Sequence, residues 1–588
     1  MKGIICLINF QHKADLQYDN DNKLYNSLKT GLWVDKDYKG KYTWTVTDEK
    51  RFILIIGTAF FKEQVDQNQQ LINNEAHLKV VQKELDRGNS PKDFLTGFYN
   101  LISVDEVGDK AIVHNSHFGM RQLFYSKKDK QLIIATNPEL IIQTGFVKGE
   151  IYLGSVLQFV LLNYTLNEDS IFKNVYTLPS GSRISFSATG FNLERYFDAG
   201  SLITRPEFNH KESIQLVHNA FNNVIKKYAN NISTFSLSLT GGWDGRLILS
   251  MLKDKNVEVS TYSHGTANNP DIIIPQAISK QLGINYTSYL LDELYYKNHF
   301  CNLAIATLDN SSCMRSVSRS HYLYSVGSEM VKNDYVLTGI CGSNLMKGNI
   351  IPGPVSNSLV LKFIYERNFN LFWAQFLGSY FRNIIKYIKV PENILEELKV
   401  SLSKLHKHYH ITEQRESRLY GFLLNSIERK YFGNEIMTYS HLGENLSPFI
   451  DIDFIKALTR STFFGAYITT NSKNIFANWK SSLLYAEMIN RSYPDLGKFK
   501  SDKGICLDDL QKIYKWPWIA VKQVQKKMRK SNTSYFDHSL GVRSIIKSLE
   551  HNNLIKADQI SLNNGMISET LYNIISYYYW ILSRHKIF

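Results

Sequence analysis

The chain has 588 residues, of which 44% are hydrophobic, 13% aromatic and 21% charged, a composition that excludes disorder, collagen and coiled coil as descriptions of the whole. At ~150 residues per domain the length admits about four domain-sized units, or two to three larger ones. Lys and Arg (68) exceed Asp and Glu (54) by 14, a mild basic excess that is no nucleic-acid signature on so long a chain, although a triphosphate substrate would welcome it. The five cysteines, Cys6, Cys301, Cys313, Cys341 and Cys506, are odd in number, widely spaced and free of any Cys-x-x-Cys pair. They argue for a reducing compartment and against zinc. The apolar stretch after Lys2 stops at Gln11-His12-Lys13, and Phe52 to Phe61 is about half of the ~20 residues a bilayer needs. Neither a signal peptide nor a membrane span is expected, and the expected location is the cytoplasm.

The first two hundred residues read as short strands punctuated by turns: Gly3 to Phe10, Arg51 to Gly57, Ala111 to His114, Leu123 to Tyr125, Gln131 to Thr136, and a hairpin around Ser187-Ala-Thr-Gly190. They predict an all-β or α+β amino-terminal domain. From Glu212 the period changes: Ile214, Val217, Phe221, Val224, Ile225 and Tyr228 lie on one helical face. A strand follows, with Phe235, Leu237 and Leu239 alternating with Ser236 and Ser238, then a Gly-rich loop and a helical segment, Leu247 to Leu252. Strand candidates Val257 to Tyr262, Tyr286 to Leu291 and Tyr335 to Leu337 alternate with helices, of which Ile273 to Leu282 is the clearest. That alternation predicts βαβ crossovers and a parallel sheet. Beyond about Leu359 helical patterns dominate and no strand series returns. The expected division is 1–205 and 206–588, with a helical extension from about 359.

The segment Ser236-Leu-Ser-Leu-Thr-Gly-Gly-Trp-Asp-Gly-Arg246 carries the chemistry. A strand ends at Thr240, Gly241 and Gly242 let the backbone turn tightly, and a helix begins, so backbone N–H groups and a helix amino terminus converge on one spot suited to phosphate. Asp244 adds a carboxylate where Mg²⁺ accompanying pyrophosphate needs a ligand, and Arg246 adds a fixed positive charge. The plain alternative is a strand-turn-helix corner whose glycines serve geometry alone.

Leu239-Thr-Gly-Gly-Trp-Asp-Gly-Arg246 resembles the Ser-Gly-Gly-x-Asp-Ser pyrophosphate loop of the asparagine synthetase superfamily, which includes β-lactam synthetases and lasso-peptide macrolactam cyclases. Tyr262-Ser-His-Gly265, then Asp271 and Gln281-Leu-Gly283, is similar to that fold's second strand and helix, and the resemblance implies adenine contacts at Tyr262 and Ser263. Val336-Leu-Thr-Gly-Ile-Cys-Gly342 is similar to the stretch beside the ribose, which implicates Gly339. Ser447-Pro-Phe-Ile-Asp451 resembles the family's Pro-Phe-Leu-Asp, and Lys500-Ser-Asp-Lys-Gly504 its late Lys-Gly motif. In the first half, Asn115-Ser-His-Phe-Gly-Met-Arg-Gln-Leu-Phe-Tyr125, Ala135-Thr-Asn-Pro-Glu139 and Leu178-Pro-Ser-Gly181 resemble the glutamine amidotransferase domain. The implied architecture is an Ntn-type β-sandwich followed by an adenine-nucleotide α-hydrolase-like parallel-sheet domain.

Three departures qualify what the resemblance implies. Glutamine-hydrolysing members use an amino-terminal cysteine as nucleophile; here the position after Met is Lys2, and Cys6 lies inside a predicted strand, so the expectation is a retained scaffold without glutaminase activity. Ile340, Ser343 and Asn344 stand where glutamine-dependent relatives carry Glu and then Asp-Glu. That leaves Asp244 as the only assigned metal carboxylate and the base position empty, with His264 and Glu444 as the substitutes on offer. Gly245 replaces the usual Ser. Trp243 is open to packing or adenine contact.

The expected reaction is adenylation of a carboxylate by ATP with Mg²⁺, releasing pyrophosphate, followed by capture by an amine. Leu239 to Arg246 would serve the pyrophosphate, and Lys503 would act as the family lysine near developing charge. Lys503 reads alternatively as a surface lysine in a run with Lys498 and Lys500. The expected partners are a carboxylate and an amine, such as a peptide or modified amino acid of a biosynthetic cluster, with no nucleic acid and no membrane; oligomeric state is not legible. Two rivals stand: asparagine synthesis from aspartate and free ammonia, and a non-catalytic nucleotide-binding protein.

Overall fold

A computed structural model describes residues 2–10, 16, 18, 22–47, 50–347, 353–469, 475–519, 521, 539–552, 554 and 568–585; Gln11-His12-Lys13 lies outside them. The amino-terminal half contributes twelve strands: β1 (Ile4–Asn9), β2 (Lys23–Asn26), β3 (Thr30–Val34), β4 (Tyr42–Val46), β5 (Arg51–Phe61), β6 (Leu95–Asp105), β7 (Lys110–Asn115), β8 (Phe124–Lys128), β9 (Gln131–Ala135), β10 (Tyr176–Thr177), β11 (Ser182–Ser187) and β12 (Gly190–Arg195). They form two antiparallel six-stranded sheets, ordered β10-β8-β9-β1-β3-β2 and β12-β11-β7-β6-β5-β4. The period of two sorts the side chains. Ile4, Cys6 and Ile8 of one sheet meet Phe52, Leu54, Ile56, Ile102 and Val104 of the other in one apolar core. The alternate residues Ile53, Ile55 and Leu101 turn outward onto Leu78 and Val81 of the helix Glu75–Asp86. The expected β-sandwich is present.

The second half is built on a parallel sheet of β13 (Thr234–Ser238), β14 (Glu258–Gly265), β15 (Tyr286–Leu290), β16 (Tyr335–Leu337) and β17 (Glu444–Leu446), in the order β15-β14-β13-β16-β17. The helix before it, His210–Asn231, starts four residues ahead of Ile214, the first residue of the apolar stripe, because Asn209 and Glu212 form a reciprocal capping box. The helix Pro270–Leu282 ends on Gly283 at φ +65°, the left-handed cap position that favours glycine.

After Leu359 a single three-residue strand is present among the described residues. β17 pairs with β16 through Tyr335↔Glu444 and Leu337↔Leu446. Three residues are too few to show a period, and its strand character comes from the neighbour it pairs with. Among the described residues no helix is long and apolar enough to cross a membrane.

Candidate functional site

In an open parallel sheet, ligands collect beyond the carboxyl ends of the strands where the strand order reverses. Here β14 and β15 extend from one side of β13, and β16 and β17 from the other, so the reversal lies between β13 and β16. Thr240 follows β13, and Thr338-Gly339 follows β16. Both line a cavity of about 250 Å³, together with Asp244, Gly245, Tyr262, His264, Ser343 and Asn344. The helix Asp244–Leu252 begins at the carboxylate itself, with its amino terminus directed at this cavity's loop.

Asp244 is gripped from several sides. Ser343 Oγ donates to its Oδ2 at 2.8 Å, and the Tyr485 hydroxyl donates to its Oδ1. Gly339 and Gly342 press against it so closely that a Cβ would come within 2.5 Å of Asp244 Cβ and 2.7 Å of Oδ1 respectively. Burial, then the Asp244 charge, pushes the Tyr485 phenol well above its ordinary range, so it remains a donor at neutral pH. The carboxylate and the Ser343 hydroxyl put two hard oxygens side by side on the cavity wall. They fit a Mg²⁺ that keeps waters and takes its remaining ligands from phosphate. Gly245 has no room for the serine side chain expected from the resemblance: a Cβ there would lie 2.6 Å from the Ser238 carbonyl oxygen.

The glycine loop is less open than its sequence suggests. The Gly241 amide donates to Asp271 Oδ1 at 2.8 Å, and the Gly242 amide to Thr240 Oγ1 at 3.2 Å. Leu239 is buried, its amide on the Tyr262 carbonyl. Trp243 is also buried, with Lys503 Nζ 5.3 Å from its ring centroid. Ser263 shares a 2.7 Å hydrogen bond with the Tyr286 hydroxyl and does not line the cavity.

Arg246 departs from the expected free charge beside the anion. Its guanidinium is fully buried and donates to the carbonyls of Gly241, Phe499 and Lys500. Burial lowers its pKa to about 10, partly offset by Asp502, which leaves it charged at neutral pH.

The two candidate bases separate. His264 lines the cavity, with Nδ1 3.0 Å from Ser325 Oγ. Glu444 faces the amino-terminal half: its Oε1 accepts from Arg121 Nη1 at 2.7 Å and from the Lys41 amide at 3.1 Å. An ion-paired carboxylate outside the cavity is no base for a substrate in it. Cys6 is buried in β1, and burial raises its thiol to about 12, so it supplies no thiolate nucleophile.

Sequence reasoning missed Tyr485, which lies 241 residues from Asp244, and Glu435, a cavity residue held by Arg315 and Arg319. Burial opposes the Glu435 charge, but the two arginines prevail and lower its pKa. It also missed Glu428, buried behind the cavity wall, where it accepts from the Cys341 thiol at 3.0 Å and from the Asn344 amide at 2.7 Å.

Several motif residues turn out to be structural. Asp451 caps the helix Ile452–Arg460 and pairs with buried Lys227 at 2.7 Å. Ser447 holds the Ile340 carbonyl at 2.7 Å. In the first half, Gln122 Nε2 bonds Asn434 at 2.8 Å, Ser180 the Asn425 carbonyl at 2.8 Å and Asn137 the Asn310 carbonyl at 2.8 Å.

Comparison with known proteins finds similarity in the amino-terminal half and to one synthetase. Residues 59–197 match the glutamine amidotransferase domain family. A putative asparagine synthetase (glutamine-hydrolyzing) 1 of Methanocaldococcus jannaschii is 23% identical over 262 residues, covering 43% of this chain and 45% of that protein. The chain is asparagine synthetase-like, with an amino-terminal glutamine amidotransferase domain. The match spans less than half of that relative's length. Two solved structures overlap at low similarity. The glutamine phosphoribosylpyrophosphate amidotransferase of B. subtilis, complexed with ADP and GMP, has 10% identity and a TM-score of 0.21, covering 50% of this chain and 85% of its own. The allosteric regulatory enzyme of purine biosynthesis has 9% identity and a TM-score of 0.20, covering 49% and 74%. At these scores neither likeness bears on the fold.

Proposed function

We propose that the second half is an adenine-nucleotide α-hydrolase-like domain and that the protein is an ATP-dependent amide-forming ligase. The carboxylate oxygen of an acyl substrate attacks the α-phosphorus of ATP, the bond to the β-phosphate oxygen breaks and pyrophosphate leaves. An amine then attacks the acyl carbon, AMP departs and the amine surrenders a proton. The observation that carries this reading is the convergence of Asp244, Thr240, Gly339 and Ser343 on one cavity at the sheet's reversal point, with the Lys503 turn bonded to the same loop. Asp244 and Ser343 would hold Mg²⁺, which when bound neutralises phosphate charge. Lys503 would meet the charge of the departing pyrophosphate. With Cys6 buried in β1 and its thiol raised, the amine is supplied as such and not from glutamine; a peptide or modified amino acid is the acyl substrate.

The test is ATP turnover with Mg²⁺, resolving AMP plus pyrophosphate from ADP plus phosphate, with aspartate and neighbouring-gene peptides as acceptors. Acceptor-dependent AMP that disappears in Asp244→Ala supports the ligase; turnover with aspartate and ammonia selects asparagine synthesis. A second reading, a nucleotide-binding protein without turnover, is favoured by one observation. Both Asp244 oxygens accept from hydroxyls, and position 343 has no carboxylate. ATP binding without AMP from any acceptor would select it.

A further inference from the structure

Arg246 is the second residue after Asp244, yet its side chain runs away from the cavity and is fully buried. Its Nη1 donates to the Phe499 carbonyl at 2.9 Å, and its Nη2 to the Lys500 carbonyl at 2.8 Å and the Gly241 carbonyl at 3.1 Å. The contact is returned by the Asp502 amide, which donates to the same Gly241 carbonyl at 3.0 Å. The partner segment is a tight turn: Ser501 N–H bonds the Ile505 carbonyl at 2.9 Å, Gly504 N–H bonds the Ser501 carbonyl at 2.8 Å, and Gly504 takes φ +74°. The turn carries exposed Lys503, whose ammonium lies over the ring of Trp243, the residue between the loop glycines and Asp244.

A planar guanidinium can satisfy several carbonyls at once, whereas an ammonium is a point charge on a flexible stem. We infer that Arg246 is a positioning residue: a buried strut that ties the Lys503 turn to the glycine loop and so sets the cation where an anion on that loop would meet it. The inference rests on the proposed function, because it takes the loop to be a pyrophosphate site. It differs from a direct charge contact, which Arg246 cannot make while its fork is spent on backbone carbonyls.

The test is calorimetric binding of inorganic pyrophosphate, and of ATP with Mg²⁺, to the full chain, with folding of each variant checked by circular dichroism. Lys503→Ala should weaken pyrophosphate binding about tenfold, the scale of one lost charge-assisted hydrogen bond. Arg246→Ala should weaken it by a similar factor, and the double variant by no more than either single one. Arg246→Lys, which keeps the charge and loses the fork, should bind like Arg246→Ala. Asp502→Pro, at an exposed residue, removes the returning amide bond together with the carboxylate that offsets the burial of the Arg246 guanidinium, and should reproduce the loss. Additive losses in the double variant, wild-type affinity in Arg246→Lys, or no effect of Lys503→Ala would each overturn the strut. If the wild type binds neither pyrophosphate nor ATP, the proposed function fails and takes this inference with it. Binding that is intact but uncoupled from Lys503 refutes the strut alone.

Discussion

Glu428 holds a proton that a surface carboxylate would have given up. Burial raises its pKa from 4.5 to about 7, against the opposing hydrogen bonds from Cys341 and Asn344. Between those two values the folded state binds a proton that the unfolded chain releases. The associated stabilisation is therefore complete below about pH 4.5 and is lost as the pH rises through about 7. Glu428→Gln removes the titration and leaves an acceptor in place. We expect its melting temperature to match the wild type near pH 5 and to exceed it at pH 8; parallel wild-type and variant curves across that range would refute the assignment. Gly245 makes a second prediction at this scale. Serine, the residue expected from the resemblance, should be refused here because of the Ser238 carbonyl. Gly245→Ser should lower stability by roughly 1–3 kcal/mol, the usual cost of overpacking, as measured by denaturant titration.

β17 is the element that joins the two halves. Glu444 sits at its start, paired with Tyr335 of β16 on one side and with Arg121 on the other. Arg121 also donates to the Tyr38 hydroxyl at 2.6 Å, while the Lys39 amide bonds the His441 carbonyl at 2.7 Å. Both members of the ion pair are almost wholly buried, with side-chain exposures of 6% and 2%, so neither can turn to water if the other is removed. Arg121→Ala should cost about 3–5 kcal/mol because it strands a buried carboxylate. Arg121→Met combined with Glu444→Met should recover most of that loss in the same denaturation assay. If the single variant is as stable as the double, the pair is not the brace described here.

At the scale of the molecule, the two halves share a core. One continuous apolar cluster runs from Ile5 and Leu7 of β1 through Phe221, Leu237 and Phe449 to Trp580 of the last helix, Glu569–His585. Phe60 of β5 stacks on Tyr228 with centroids 5.6 Å apart, and the buried Lys227–Asp451 pair lies alongside, with Lys227 Nζ 5.7 Å from the Phe60 ring. Independently folding units would melt in separate transitions. Here calorimetry and near-ultraviolet circular dichroism should report one coincident transition for both halves, and a split endotherm would contradict the shared core.

Much of this was legible in the chain itself. Apolar runs bounded by turn residues announce β1 and β5, the alternation of Phe235, Leu237 and Leu239 with serines announces β13, and the 3.6-residue stripe from Ile214 to Tyr228 announces its helix, because these patterns are local consequences of backbone geometry. The Thr-Gly-Gly-Trp-Asp loop was readable for the same reason, since turn, strand and helix signals occupy neighbouring residues, whereas the sandwich was expected from the family resemblance. What the sequence could not reveal was direction and partnership. Nothing local says that Arg246 points away from the cavity, that Glu444 faces Arg121, or that Tyr485 reaches Asp244, since each contact joins residues more than two hundred positions apart. Those pairings exist only once the sheets pack. The burial that packing imposes then decides which ionisable groups stay charged, which carry a proton, and which of the motif residues are free to meet a substrate.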